Sequence, residues 1–118
     1  MTLFEERPLT HRAAKKTFSD RVLALALKIP KGKVTTYGAL AKAAGGGPLS
    51  AQSISPILGK AWDKGEHKIP WHRIVYANGR VWFSPATKKQ RLALYKKEGI
   101  KLDKKDHIVD FAKKLFEF

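Results

Sequence analysis

Gly45-Gly46-Gly47-Pro48 is the stretch that most limits what this chain can fold into. Three glycines give up the most backbone entropy on ordering, and the proline cannot continue a helix, so no regular element crosses residues 45–48. The chain must turn there, and apolar residues at helical spacing stand on both sides. Before the turn, Thr35 or Thr36 can cap a helix through Tyr37, Leu40, Ala41 and Ala44. After it, a helix from near Ser50 carries Ile54, Ile57, Leu58 and Ala61. Two short helices about a glycine turn outline a helix-turn-helix. Pro56 would cost about 3 kcal/mol in a helix interior. Either the helix begins nearer Ser53, with Pro56 in its first turn, or it is kinked.

Upstream, Thr17 to Asp20 offers N-caps for a helix with Val22, Leu23, Leu25, Ala26 and Ile29 inward, ended by Pro30 and Gly32. Lys33 to Thr36 reads as an extended connector. Residues 62–68 read as a polar loop. Residues 73–77 and 80–83 flank Asn78-Gly79 and read as a hairpin with a type I′ turn. Pro85-Ala86-Thr87 opens a basic helix with Leu92, Leu94 and Tyr95 inward and Gly99 at its end. Residues 104–118 read as a C-terminal amphipathic helix with Ile108, Phe111, Leu115 and Phe116 on one face, docked on the core. Residues 1–16, with Arg7, Arg12, Lys15 and Lys16, read as a basic N-terminal arm or a disordered terminus. The fold class expected is mainly α with a short hairpin, a winged helix-turn-helix-like domain over residues 17–103. At 118 residues with 43 % apolar content, a single domain with a real core is expected.

The formal net charge is +14, spread along the chain. A polyanionic partner, most often nucleic acid, is the expectation; a solubilising lysine surface and an acidic membrane are the alternatives. No apolar run approaches a membrane span and no signal-peptide pattern opens the chain, so a soluble, cytoplasmic, nucleoid-associated or nuclear protein is expected. The chain has no cysteine. That excludes disulfides, thiolate metal sites and thiol nucleophiles. No cofactor or metal is expected.

Pro70-Trp71-His72-Arg73 runs directly into the β-branched pair Ile74-Val75. Polar groups of specific geometry between apolar residues mean a built site or a buried structural network. From the residues alone, Trp71 is a core aromatic or the wall of a pocket.

Taken together, Pro30-Lys31-Gly32-Lys33-Val34 with Thr36-Tyr37-Gly38, Pro70-Trp71-His72-Arg73-Ile74 and Glu98-Gly99 resemble the DNA-binding domain of O6-alkylguanine-DNA alkyltransferases, over roughly residues 18–100. Trp71 stands where the family has its acceptor cysteine, which is similar to the alkyltransferase-like proteins. These bind alkylated guanine, transfer nothing, and hand the lesion to nucleotide excision repair. Indole nitrogen is a donor only, and no other thiol exists, so alkyl transfer to cysteine is excluded. The resemblance implies a monomer that binds duplex DNA carrying O6-alkylguanine from the minor groove and rotates the base into a pocket of Tyr37, Trp71, Ile74, Ser84 and Pro85. It places DNA contacts at Thr36, Tyr37, Ser50, Ala51, Gln52, Ser53 and Arg73. His72 and Glu98 resemble the family's activating pair and are expected to keep a hydrogen bond without catalysing anything. Arg73 is expected to pair with an acid or backbone carbonyls, with phosphate contact second.

Two residues depart from the family pattern. Gln52 replaces the arginine that fills the extruded base's place. It is shorter, uncharged and stacks less well. Pro85 falls where the family offers a backbone N–H near the guanine oxygen, which leaves Ser84 as a substitute donor. A sequence-specific regulator, an architectural DNA binder and an active alkyltransferase are the rival readings.

Overall fold

The computed structural model describes residues 16–118. The basic arm expected over 1–16 lies, but for Lys16, outside the described residues. Helix α1 (Phe18–Ala26) starts from a capping box. Thr17 accepts from the Asp20 N–H, and Asp20 accepts from the Thr17 N–H. It ends earlier than its apolar spacing suggests, so Ile29 reaches the core from the following turn. Strand β1 (Thr35–Thr36) leads straight into α2 (Tyr37–Ala43), where Thr36 Oγ1 accepts from the Ala39 N–H at 3.0 Å. A 3₁₀ turn (Ser50–Ser53) precedes α3 (Ile54–Asp63), which places Pro56 in the first helical turn, where a missing N–H breaks no bond. That helix runs to Asp63, into the segment expected to be loop. A second 3₁₀ turn (Trp71–Arg73) opens into β2 (Ile74–Val75), and α4 (Lys88–Lys97) and a short α5 (Phe111–Lys114) follow.

The fold is mainly helical with one small sheet, as expected, but the strands pair differently. β1 and β2 run parallel, Thr35 beside Ile74 and Thr36 beside Val75. Three of those four residues are buried, the environment in which β-branched runs form parallel pairs. The type I′ hairpin does not form. Gly79 has φ +85, but Asn78 is not left-handed. The turn is the three-residue kind, with the Gly79 N–H bonded to Tyr76 O and the Tyr76 N–H to Arg80 O. Residues 80–81 then pair with the C-terminal segment, Arg80 opposite His107 and the Val81 N–H on Asp106 O.

The helix expected over 104–118 shrinks to α5. Asp103 Oδ1 takes the N–H groups of Lys105 and His107, and Asp106 and Asp110 adopt φ +61 and +57, so the helix cannot start. The tail instead lies along Val34, which donates to Lys114 O and accepts from the Phe116 N–H. Leu92 also departs from its expected inward position and is exposed, whereas Tyr95 is buried.

Two cores result. One joins α1, α2 and α3 through Val22, Ala26, Leu40, Ile54, Leu58 and Ile74. The other gathers Val34, Val75, Val81, Tyr95, Ile100 and Ile108. Successive strand residues face opposite sides, and here Ile74 enters the first core and Val75 the second. The Trp71–Arg73 turn sits at that seam.

Candidate nucleic-acid interface

The Trp71–Arg73 turn is held from three directions. Glu98, the C-cap of α4, accepts from Arg73 Nε at 3.0 Å and Arg73 Nη2 at 2.7 Å, from the Gly32 N–H at 3.0 Å, and lies 2.7 Å from His72 Nε2. Arg73 Nη1 donates to Ile29 O at 2.8 Å. Tyr95 Oη donates to His72 O at 2.6 Å. Burial alone would raise the Glu98 pKa; Arg73, the Gly32 N–H and His72 outweigh it and bring the carboxyl down to about 2. Burial lowers His72 below its ordinary value, against the pull of Glu98. A neutral imidazole donating Nε2–H to an ionised carboxylate fits both directions. Burial pushes the Tyr95 phenol up, so it stays a donor.

The expected His72–Glu98 bond is therefore present. The expected pairing of Arg73 with an acid and a backbone carbonyl is present too: its guanidinium is engaged with Glu98 and Ile29 O, and with its side chain 14 % exposed it is already occupied at the position where DNA contact was its second expected role.

Trp71, beside this frame, is half-buried and lines a cleft of about 230 Å³ with Tyr37, Ile74, Tyr76, Trp82 and Arg91. That is smaller than the roughly 300–1,000 Å³ of drug-sized sites, and suits one planar heterocycle better than an extended ligand. Tyr37, the first residue of α2, packs its ring 5.8 Å from that of Tyr76. Burial holds its phenol above the ordinary range, with Ser55 pulling the other way. Across Trp71 lies a second cavity of about 490 Å³ that takes in Trp62, His67, His72 and Leu94; Trp71 and Arg91 line both.

The structure thus brings together Tyr37, Trp71 and Ile74 of the expected pocket. Ser84 and Pro85 line a separate depression with Phe83 and Lys88 instead. Ser84 is no free donor either: its N–H points to Thr87 Oγ1 at 3.3 Å, and its Oγ is 2.7 Å from the same atom. The serine is tied to the start of α4. Sequence reasoning missed Tyr76, Arg80, Trp82 and Arg91. Aromatic and basic residues alternate over Tyr76, Arg80 and Trp82, and Arg91 lies one helical turn before Tyr95, so both signals were available. Trp82 is 56 % exposed at the cleft.

Of the other expected DNA contacts, Thr36 Oγ1 caps α2, while its hydroxyl proton can still be donated. Ser50 and Ala51 are half-buried; Gln52 and Ser53 are exposed on the 3₁₀ turn. The face carrying these residues is contiguous in sequence with Ser55, which lines the cleft.

Residues 17–100 match the family described as 6-O-methylguanine DNA methyltransferase, DNA binding domain. A DNA base-flipping protein of Escherichia coli (strain K12) is 37 % identical over 92 residues, covering 76 % of this chain and 69 % of that protein. A DNA base-flipping protein of Vibrio parahaemolyticus is 38 % identical over 64 residues, covering 54 % and 61 %. Among solved structures, S. pombe Atl1 in complex with damaged DNA containing O6-carboxymethylguanine superposes with a TM-score of 0.65 at 23 % identity, over 88 % of this chain and 100 % of Atl1. S. pombe ATL in complex with DNA gives 0.67 at 22 %, with the same coverage. The chain belongs to the 6-O-methylguanine DNA methyltransferase DNA-binding-domain family, as an alkyltransferase-like member.

Proposed function

We propose that this protein is a non-enzymatic sensor of O6-alkylguanine in duplex DNA. It rotates the damaged base into the cleft between Tyr37 and Trp71 and presents the bound lesion to nucleotide excision repair. The observation that carries this reading is an aromatic-walled cleft at the family's acceptor position in a chain without any thiol. A flipped base is held between aromatic and apolar faces, and such faces are what Trp71, Ile74 and Tyr37 offer. Unstacking costs least at a damaged or mispaired base, so the lesion itself contributes selectivity. The charge of +14 supplies the salt-dependent affinity for backbone phosphates.

Binding to matched duplexes with and without one O6-methylguanine, at fixed salt, tests this directly. The lesion duplex is expected to bind more tightly, and mass spectrometry is expected to find no methyl on the protein. Equal affinity would favour an architectural DNA binder. A methyl adduct would make the protein an enzyme. Tyr37→Ala is expected to weaken lesion binding far more than Lys104→Ala on the C-terminal segment. Incision of the lesion by purified excision-repair proteins, with and without this protein, tests the second half of the proposal.

A further inference from the structure

A base rotated into the cleft leaves a gap in the stack, and the gap has apolar faces above and below. Gln52, by its chemistry, fills such a gap poorly. Leu49 stands beside it. At 75 % exposure it is the most exposed large apolar side chain among the described residues. It immediately precedes the Ser50–Ser53 turn, and the Gln52 N–H donates to its carbonyl at 3.3 Å. Side chains three apart on a 3₁₀ turn nearly eclipse, so Leu49 and Gln52 share one edge.

The turn under Leu49 is rigid. The Gly46 N–H bonds to Ala41 O at 2.8 Å and the Ser50 N–H to Gly47 O at 3.1 Å. Arg21 Nε donates to Ala44 O at 2.7 Å. A Cβ at Gly46 would meet Ser50 Cβ at 2.5 Å and Phe18 at 2.9 Å, so the loop is packed without slack against α1. The leucine is thus exposed on a fixed platform. Residues 49–55 rise by 3₁₀ and then α geometry, which puts Leu49 roughly 11 Å along the element from Ser55 at the cleft, about three base-pair rises.

We infer that Leu49 is an apolar wedge that enters the base stack where the damaged base has left, with the Gln52 amide beside it to hydrogen-bond the unpaired partner base. Apolar wedges between base steps are a common device of proteins that bend or open duplexes, and leucine is among the residues used. Gln52 offers both a donor and an acceptor to a base edge. The inference rests on the base-flipping reading above.

The test uses the full chain, with Leu49→Ala, Leu49→Met, Gln52→Ala and Tyr37→Ala variants. The probes are a duplex carrying one O6-methylguanine, the same duplex undamaged, and the same lesion in single-stranded form. On the lesion duplex Leu49→Ala should lose about tenfold in affinity or more, the least that burial of a leucine side chain implies. Leu49→Met should stay near wild type. On the single-stranded lesion, which has no duplex gap, Leu49→Ala should bind like wild type, whereas Tyr37→Ala should lose affinity on both. Thermal melting of Leu49→Ala should match wild type, because the side chain packs on little. Equal affinity of Leu49→Ala and wild type for the lesion duplex, with Tyr37→Ala still impaired, would refute the wedge and leave base flipping standing. The same loss on single-stranded and duplex lesion would make Leu49 a general contact and also refute it. If wild type does not distinguish damaged from undamaged duplex, base flipping fails, and the wedge with it.

Discussion

Replacing Glu98 with alanine removes the partner of Arg73, of the Gly32 N–H and of His72 in one step. Two routes, both resting on these same contacts, give the order of the loss. The carboxyl titrates at about 2 instead of 4.5, and at roughly 1.4 kcal/mol per tenfold in acidity that gap is worth about 3 kcal/mol of folding free energy. Leaving one member of a buried ion pair without its partner costs about 3–5 kcal/mol, and Arg73 keeps Ile29 O, which favours the lower end. For a domain of this size about 3 kcal/mol lowers the melting temperature by roughly 12 °C or more. Glu98→Gln retains an acceptor for the Gly32 N–H and should lose about half as much. The pH dependence has a definite sign. A carboxyl depressed in the folded state contributes fully above about pH 4.5, and the contribution disappears as pH falls towards about 2. His72, also depressed, acts in the same direction, starting below its ordinary value of 6.5. Urea denaturation followed by tryptophan fluorescence at neutral and acid pH measures both. The reasoning fails if Glu98→Ala loses less than about 1 kcal/mol, or if Glu98→Gln keeps the wild-type acid dependence between pH 4.5 and 2.

Two further substitutions probe the fold away from this hub. Thr35 is fully buried and its Oγ1 has no hydrogen-bond partner among the described residues. Thr35→Val keeps the shape and removes the unpaired hydroxyl, so the urea midpoint should rise, by about 1 kcal/mol in stability; a fall would mean the hydroxyl is satisfied after all. Gly46→Ala places a methyl group 2.5 Å from Ser50 Cβ, and should lose about 1–3 kcal/mol while displacing the turn that carries Leu49. Its lesion affinity should therefore fall along with its melting temperature, and normal binding in a destabilised Gly46→Ala protein would disconnect that turn from DNA.

Features set by near neighbours were legible in the sequence. Thr17 with Asp20, Thr36, and the left-handed Gly99 mark their helix ends through contacts or conformations within a few residues, whereas Pro30 and Gly32 lie beyond the end of α1 at Ala26. Pro56 left two readings, a first-turn position or a kinked helix, and the helix start at Ile54 gives the first. Features set by distant partners were not. Residues 80–81 pair with 106–107 because the side chain of Asp103 and two left-handed aspartates turn the tail back, and apolar spacing alone does not reveal that. The same spacing made 104–118 look helical, although much of its backbone bonding goes to Val34 and to residues 79–81 and 101. Within the site, Tyr37, Trp71 and Ile74 were found from the family motif. Trp82 and Arg91 lie outside the motif, and the motif's counterpart positions, Ser84 and Pro85, line a separate depression, with Ser84 bonded to Thr87.

His72, Arg73 and Glu98 have a structural role that needs no chemistry. Arg73 reaches Ile29 in the turn after α1, on the first core, and Glu98 ties the Gly32 turn. Tyr95, from the second core, bonds to His72 O. The three residues form the joint between the two cores, at the strand whose Ile74 and Val75 face opposite ways. Removing that joint opens the fold, whether or not a reaction takes place beside it. Trp71 is in a different position: half-buried, with cavities on both sides and, among the described residues, no hydrogen bond from its ring. Its ring packs against the first core and lies 6.5 Å from that of Trp62, beside the Arg73–Glu98 joint rather than within it. On the function proposed above, Trp71 would offer a stacking surface to a flipped base, while the ion-paired frame beside it serves the fold.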